Sequence, residues 1–255
     1  MAERSIDRTS GYDRAGHGYA ELRRPDPRIA GAIHRALGDA RTVINVGAGA
    51  GSYEPTWAHV LAVEPSATMR AQRPAHAPPA LDAVAESLPL DDNSVDAGMA
   101  VLSVHHWGDP LAGLTELRRV ARRRVVILSF DIEVEAETWL VRDYLPEIST
   151  YSRDHYLSPT DIAEALGRAR VEPMPVPGDC SDGFLEGLLT RPEAYLSGRT
   201  RSAQSTWRVL GPEVEGRAVA SLARDLASGA WDRRHGQWRA LDSYDGGLRL
   251  IVSGG

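Results

Sequence analysis

Short apolar runs alternate with helical patterns along the first half of the chain. Nearly continuous apolar runs predict strands at residues 42–46, 59–63, 80–85, 95–102 and 125–130. Apolar residues at helical spacing predict one helix over residues 29–37, ending at Gly38, and another from Pro110 onward. Strands that are apolar on both faces and separated by helices are typical of a covered parallel sheet. The pattern therefore predicts an α/β fold with a mostly parallel sheet and helices on both faces.

The pattern changes after residue 131. Residues 133–167 and 183–229 are mostly helical in pattern, and the proline-rich residues 171–177 allow a strand only at a sheet edge. A final strand is predicted at residues 247–253. Four aromatic residues of the helical part are candidates either for a substrate cavity or for packing: Trp139, Tyr144, Tyr151 and Tyr156. We expect one sheet with a helical insertion over the edge where its strands end.

The charge balance narrows the choice of partners. The chain has 29 basic and 35 acidic residues and a net charge of -6, which argues against general binding of nucleic acid or anionic membranes. Five arginines within residues 118–124 form the one basic cluster of the sequence, which we interpret as a solvated helix end, with nucleic-acid binding as the alternative. The longest apolar run reaches about half the length of a membrane span, and the N-terminus lacks an apolar signal-peptide core. With Cys180 as its single cysteine, the chain is expected to be cytoplasmic.

A glycine-rich turn follows the first predicted strand. Gly47, Gly49 and Gly51 let the backbone approach a ligand closely, and the following helix terminus offers free N–H groups. Glu64 ends the next strand, where a carboxylate can accept both hydroxyl groups of a ribose. Ligands of open parallel sheets bind beyond the carboxyl ends of the strands. Together these residues indicate an adenosine-containing cofactor, and the alternative is a tight turn that binds nothing.

The details of the turn separate two classes of cofactor. A dinucleotide fingerprint needs glycine at the position of Ser52, and Glu54 would place a negative charge beside a pyrophosphate. S-adenosylmethionine has no phosphate and carries a positive sulfonium, so it avoids this conflict. A nicotinamide-dependent oxidoreductase is the alternative.

Four ordered motifs carry a resemblance to a known family. They are Thr42-Val-Ile-Asn-Val-Gly-Ala-Gly-Ala-Gly51, Val63-Glu-Pro-Ser66, Ala85-Glu-Ser-Leu-Pro-Leu-Asp-Asp-Asn-Ser-Val-Asp96 and residues 101–107. The chain resembles class I S-adenosylmethionine-dependent methyltransferases over about residues 12–131, and is most similar to their small-molecule branch, which includes ubiquinone and menaquinone biosynthesis enzymes. The resemblance implies a Rossmann-like single domain over residues 1–255. Its expected parts are an N-terminal lid or helix (1–40), a cofactor-binding core (41–131), a variable helical substrate cap with an edge strand (132–240) and a final strand (241–255).

The resemblance also implies roles for single residues. Gly47, Ala48 and Gly49 are expected to contact the methionine portion of the cofactor, and Glu64 its ribose. Pro65 and Met69 would line the adenine slot, and Ala85 and Glu86 would contact the adenine amino edge. Leu102 and Ser103 would lie at the sulfonium side. Asn45 departs from the family, which usually has an acid at this position. The amide withholds a negative charge from the cofactor's amino group, unless another acid compensates.

The N-terminal segment is predicted to be a lid. Tyr12, Tyr19 and Arg23 would close over the cofactor, with Arg23 as the partner of its carboxylate. The alternative is a helix packed on the sheet through its tyrosines.

Two adjacent histidines are the first candidates for a general base. His105 and His106 follow the fourth predicted strand, where a neutral imidazole can accept a substrate proton. Adjacent residues point in different directions, so we expect at most one to face the methyl group, and the alternative is that the pair shapes the pocket. Asp131 is the second candidate. No third ligand accompanies the histidines, so no metal site is predicted.

The predicted reaction is in-line transfer of a methyl group to a small molecule, most readily an oxygen of a biosynthetic intermediate. Positioning would supply most of the acceleration. The alternative with the same cofactor is a non-methylating reaction such as a cyclisation.

Overall fold

The computed structural model describes residues 19–254, with side chains from residue 21 onward. Eight strands lie in this part of the chain: β1 (Thr42–Val46), β2 (His59–Val63), β3 (Val95–Val101), β4 (Ala121–Phe130), β5 (Arg170–Pro173), β6 (Val176–Pro177), β7 (Ser243–Tyr244) and β8 (Leu248–Ser253). Six of them form one sheet in the order β2-β1-β3-β4-β8-β5, and β6 and β7 form a separate pair.

Eleven α-helices lie in the described residues: α1 (Tyr19–Leu22), α2 (Pro27–Leu37), α3 (Ala67–Arg70), α4 (Pro110–Val120), α5 (Ile132–Ala136), α6 (Trp139–Tyr144), α7 (Glu147–His155), α8 (Pro159–Ala165), α9 (Gly198–Ser202), α10 (Ser205–Ala227) and α11 (Ala230–His235). Short 3-10 helices span Val104–His106, Leu185–Leu188, Pro192–Leu196 and Gly236–Ala240. None of the helices in this range is long and apolar enough to cross a membrane.

The sheet is mostly parallel. Strands β2, β1, β3 and β4 run in parallel, whereas β8 pairs antiparallel with both β4 and β5. The last strand of the chain therefore lies between β4 and the proline-containing edge strand β5. These observations confirm the predicted α/β fold and the final strand. Of the proline-rich residues 171–177, for which an edge strand was expected, the first three lie in the edge strand β5, whereas β6 pairs with β7 in the separate two-stranded sheet.

Successive residues of each central strand face opposite sides of the sheet. Val43 and Val126 belong to the apolar cluster that contains α2, whereas their neighbours Ile44 and Ile127 belong to the cluster that contains α4. The helix residues buried in these two clusters are Ile29, Ile33 and Leu37 of α2, and Leu114, Leu117 and Val120 of α4. Burial on both faces explains why the strands are almost continuously apolar.

The prediction of a strand at residues 80–85 is wrong. Leu81 alone forms an isolated parallel bridge, to Val63 at the outer edge of the sheet. Leu81 and Val84 are 42% and 43% exposed, so little apolar burial is available to hold a strand there. The preceding Pro78 and Pro79 cannot donate hydrogen bonds to a ladder.

The helical residues after β4 pack around Trp139. Its ring makes edge-on contacts with Tyr144, Tyr195 and Trp231, with ring centroids 5.9, 5.9 and 5.1 Å away, and its Nε1 donates to the Leu189 carbonyl at 3.0 Å. Trp139 and Tyr144 are therefore packing residues. Helix α10 kinks at Gly211, where φ is 83°, immediately before Pro212.

The packing of Gly98 in β3 is testable. A Cβ atom at this position would lie 2.5 Å from Cδ1 of Leu117, a fully buried residue of α4. We expect Gly98→Ala to lower the free energy of unfolding by about 1–3 kcal/mol because the core cannot accept the added atom. Urea denaturation measures the change.

The matched control is Gly216→Ala, at an exposed position of α10 where an added Cβ meets nothing within 4 Å. It should leave stability unchanged or raise it, because alanine favours helix. A Gly98→Ala protein as stable as the parent would contradict the packing described for β3 and α4.

Candidate functional site

Two adjoining cavities lie at the carboxyl end of the parallel strands. The first, which we call the strand-end cavity, has a volume of about 840 Å³. Its walls come from the ends of β1, β2 and β3 and from the turns that follow them. The lining residues are Arg23, Asn45, Gly47, Ala48, Gly49, Ala50, Ser52, Tyr53, Glu64, Pro65, Ser66, Met69, Val101, Leu102, Ser103, His106 and Trp107.

The glycine turn is pressed against the end of β3. Gly47 has a φ of 70°, and a Cβ atom there would lie 2.6 Å from Cβ of Ser103. The Ser103 hydroxyl donates to the Val46 carbonyl at 2.9 Å. The N–H groups of Gly47 and Ala48 both donate to the Val63 carbonyl, at 2.9 and 3.0 Å. Position 47 therefore needs glycine, both for its backbone conformation and for the space it occupies.

Glu64 connects the glycine turn to the start of α3. Its Oε2 accepts from the Gly49 N–H and its Oε1 from the Ser66 N–H, both at 2.8 Å, and the residue is 8% exposed. Each carboxylate oxygen can accept more than one hydrogen bond. The carboxylate is therefore held rigidly in the cavity wall and retains acceptor capacity for hydroxyl groups.

Asn45 and Glu54 lie behind the glycine turn. The Asn45 Nδ2 donates to Glu54 at 3.0 Å, and Arg73 makes a two-pronged ion pair with Glu54 at 3.0 and 2.9 Å. Asn45 is 2% exposed, and its Oδ1 has no hydrogen-bond partner among the described residues. This buried oxygen lines the strand-end cavity and is available to accept from an amino group. The acid near the turn is thus Glu54, with its charge paired by Arg73.

Arg23 is attached to the helical part of the chain through Asp182. Its Nε donates to Asp182 at 2.6 Å, and the Tyr53 hydroxyl donates to the same carboxylate at 2.8 Å. Asp182 is 1% exposed. Burial and the Asp182 charge raise the pKa of Tyr53 well above its usual value, so Tyr53 stays a neutral donor. Tyr12 lies outside the described residues, as does the side chain of Tyr19, so the lid remains a prediction.

The second cavity, which we call the cap cavity, has a volume of about 660 Å³. Its lining residues are Arg23, Leu102, His105, His106, Phe130, Glu135, Ile148, Tyr151, Ser152, Tyr156, Phe184, Leu185, Glu186, Gln204, Ser205, Thr206, Val209 and Leu210. Of the four aromatic candidates, Tyr151 and Tyr156 therefore line a cavity. Three residues line both cavities, and we call their position the junction: Arg23, Leu102 and His106.

The two histidines lie differently at the junction. His106 lines both cavities, whereas His105 lines the cap cavity only. Their ring centroids are 3.9 Å apart, and the His105 ring lies 4.9 Å from that of Tyr156. Leu102, which follows β3, has a φ of 52°. This backbone conformation is uncommon for a branched residue, and such conformations cluster at functional sites.

Comparisons with known proteins agree with this geometry. A family model described as a methyltransferase domain matches residues 44–128. A candidate methyltransferase from an antibiotic biosynthesis pathway of Anabaena variabilis has a similar structure, with a TM-score of 0.84 and 31% identity, covering 92% of this chain and 99% of that one. The chain belongs to the class I S-adenosylmethionine-dependent methyltransferases. Their cofactor is S-adenosylmethionine, which excludes the alternative of a nicotinamide-dependent oxidoreductase.

Other proteins similar to this methyltransferase match a smaller part of the chain or match it at lower identity. Uncharacterised methyltransferases of Mycobacterium bovis and Mycobacterium tuberculosis are 41% identical over 91 residues, which is 32% of this chain and 36% of theirs. The match thus spans about a third of these curated relatives. Geranyl diphosphate C-methyltransferase of Streptomyces coelicolor has a TM-score of 0.52 at 14% identity and covers 100% of this chain and 98% of that one. The cyclase SpnF has a TM-score of 0.55 at 12% identity, with coverage of 97% and 96%. The last two show the fold alone.

Three residues expected at the site of the methyltransferase line neither cavity. Ala85 is buried, and Glu86 accepts from the Asp109 N–H at 2.8 Å. Asp131 precedes α5 and forms an ion pair with Arg249 at 3.2 Å. All other expected cofactor residues with described side chains line the strand-end cavity. Ala85, Glu86 and the base candidate Asp131 do not.

Several lining residues of the methyltransferase were missed from sequence. Tyr53 lies two residues after the motif that ends at Gly51, and Ser66 ends the motif Val63-Glu-Pro-Ser66 but was not assigned a role at the site. Glu135 and Glu186 come from segments far apart in sequence, so no local pattern joins them. Cys180 is buried, which raises the pKa of its thiol to about 12 and disfavours a thiolate. Within residues 19–254, no group of three or more potential metal ligands is found.

The role of Glu64 can be tested by cofactor binding. We expect Glu64→Ala to weaken binding of S-adenosylhomocysteine about ten- to a hundredfold, since hydrogen bonds to a charged group contribute about 1.5–3 kcal/mol each. Isothermal titration calorimetry gives the dissociation constants. Glu172→Ala, at the exposed edge strand β5, serves as the control and should bind like the parent. Equal affinity in Glu64→Ala and the parent would show that the ribose lies elsewhere.

Proposed function

We propose that this chain transfers a methyl group from S-adenosylmethionine to a small molecule held in the cap cavity. The observation that supports this most is that the two cavities meet at Arg23, Leu102 and His106. A cofactor in one cavity and an acceptor in the other would then approach each other at one place, next to a titratable side chain.

The strand-end cavity fits the cofactor. The backbone of Gly47 and Gly49 leaves room for the methionine portion, and the unpartnered Asn45 Oδ1 offers an acceptor to its amino group. Glu64 would hold the ribose hydroxyls, and Pro65 and Met69 would line the adenine slot. Ala48 and Ser103 would line the opposite end of the strand-end cavity. Arg23 remains the proposed partner of the cofactor carboxylate. Ala85 and Glu86 remain proposed neighbours of the adenine amino edge.

The cap cavity fits a small acceptor. Its walls combine aromatic and apolar side chains with a similar number of polar ones, which suits a small molecule that carries both apolar and polar groups. Helix α7 contributes Tyr151, and the part of α10 before its kink contributes Val209 and Leu210. We therefore propose a small-molecule acceptor, with no nucleic acid or membrane partner. We place the protein in the cytoplasm.

The bound cofactor supplies an electrophilic methyl group on a good leaving group. The protein then has to align the acceptor atom, exclude water and remove a proton where the acceptor is a hydroxyl. His106 is positioned for the last task because it lines both cavities, and His105 packs against it and Tyr156. Asp131 is disfavoured as the base because Arg249 pairs with it outside both cavities. O-methylation is the proposed reaction.

Transfer of a labelled methyl group tests the proposed reaction. The purified protein is incubated with methyl-labelled S-adenosylmethionine and a deproteinised small-molecule extract of the source cells. We expect label in small molecules, and inhibition by excess S-adenosylhomocysteine. Conversion of a metabolite without transfer of label would instead support a cyclisation or another non-methylating reaction.

The role of His106 is tested once an acceptor is found. We expect His106→Gln to lower kcat about a hundred- to ten-thousandfold, as for loss of a general base, with cofactor binding unchanged. His105→Gln is the matched control and should affect kcat much less. A His106→Gln enzyme with the parent's rate and pH profile would exclude His106 as the base.

A further inference from the structure

Two buried carboxyl groups lie side by side in the wall of the cap cavity. Glu135 comes from α5 and Glu186 from the 3-10 helix Leu185–Leu188, and the residues are 7% and 3% exposed. Their carboxyl groups are close enough to shift each other's pKa. The Oε2 of Glu186 is buried and has no hydrogen-bond partner among the described residues. The cavity wall therefore holds an acceptor oxygen without a donor.

Within the described part of the chain, neither carboxyl of the pair has a basic side chain in direct contact. Burial raises the pKa of Glu135, and burial together with the Glu135 carboxyl raises the pKa of Glu186 well above its usual value. Because the two carboxyls interact, they titrate as a pair, and a cation placed beside them favours their ionised form. The chain has no lysine, and no arginine in residues 21–254 forms an ion pair with either glutamate. Arg23 lines the same cavity but is bound to Asp182.

The surrounding chain holds the two glutamates from behind. The Tyr244 hydroxyl donates to the backbone carbonyl of Glu186 at 2.5 Å, which leaves the side chain to the cavity. A Cβ atom at Gly246 would lie 3.2 Å from Cβ of Glu186, and one at Gly247 would lie 3.4 Å from Cβ of Glu135. The glycine turn before β8 thus packs closely against both residues and fixes their positions.

We propose that the Glu135–Glu186 pair binds a cationic nitrogen, an ammonium group carried by the methyl acceptor. This inference rests on the proposed use of the cap cavity as the acceptor site. An ammonium donates up to three hydrogen bonds, so it would satisfy Glu186 Oε2 and balance the charge of the pair. Tyr151, Tyr156 and Phe184 line the same cavity, and aromatic rings there favour a cation; the Arg23 guanidinium already lies over the Phe184 ring, 5.9 Å from its centroid.

A purely structural role does not account for the pair. Buried charged pairs are often less stabilising than apolar side chains of similar volume, and an unsatisfied buried oxygen adds a further cost. A cationic ligand removes both costs at once. The ammonium group would orient the acceptor, and it need not be the atom that is methylated.

Paired probes test the charge preference directly. Protein saturated with S-adenosylhomocysteine is titrated calorimetrically at neutral pH with 2-phenylethylamine, which is protonated, and with the neutral 2-phenylethanol. We expect the amine to bind about ten- to a hundredfold more tightly, as for hydrogen bonds to a charged group. Equal or tighter binding of the alcohol, or no binding of either probe at millimolar concentration, would overturn the inference.

Glutamine variants test whether the two glutamates cause the preference for the amine over the alcohol. The double variant E135Q/E186Q removes the charge and should bind the two probes within about twofold of each other, whereas either single variant keeps one carboxylate and part of the preference. E137Q, at the exposed residue after α5, is the control and should behave like the parent. An undiminished amine preference in a folded double variant would show that other residues bind the amine.

The proposed function and this inference can fail separately. If S-adenosylhomocysteine does not bind, the proposed methyl transfer fails, and the probes are then compared without it. If it binds but the amine is not preferred, the Glu135–Glu186 site fails alone.

Discussion

The close approach of the glycine turn to the end of β3 is the constraint on which the site depends. Gly47 leaves β1 with a positive φ and has no room for a side chain beside Ser103. Ser103 in turn bonds to the backbone of β1, and the turn bonds to the end of β2. Glu64 adds a third connection through the Gly49 N–H. Three strand ends are thereby fixed to one another by short, mostly backbone contacts, and the cavity between them has a defined shape.

The helical part after β4 packs into the same apolar cluster as α2 and one face of the sheet, and it is also bonded to residues before β1. Asp182 binds Arg23 and Tyr53 together, so a buried carboxylate from the helical part fixes the position of a residue at the junction. The cap cavity lies between this connection and the kinked helix α10. The strand-end cavity is thus built mainly from the strand ends and the turns after them, whereas the cap cavity takes most of its walls from segments after β4.

Two pairs of carboxyl groups with little exposure differ in their partners. Glu54 is paired with Arg73, and Asp182 with Arg23, so their charges are balanced inside the protein. Glu135 and Glu186 have each other as neighbours instead. The first two carboxylates connect separate segments of the chain, whereas Glu135 and Glu186 line the cap cavity without a basic partner among the described residues.

The sequence by itself determined the features that are local. Continuous apolar runs predicted the central strands because both faces of the sheet are covered, and the glycines predicted the turn because Gly47 has no space for a side chain. Tertiary packing decided the rest. Residues 80–85 do not form a strand, because at that edge the sheet offers too little burial. Asp131 had the right place in sequence, but Arg249, from the last strand, holds it. The pairing of Glu135 with Glu186 depends on segments brought together by the fold, and no periodicity along a chain encodes such a contact.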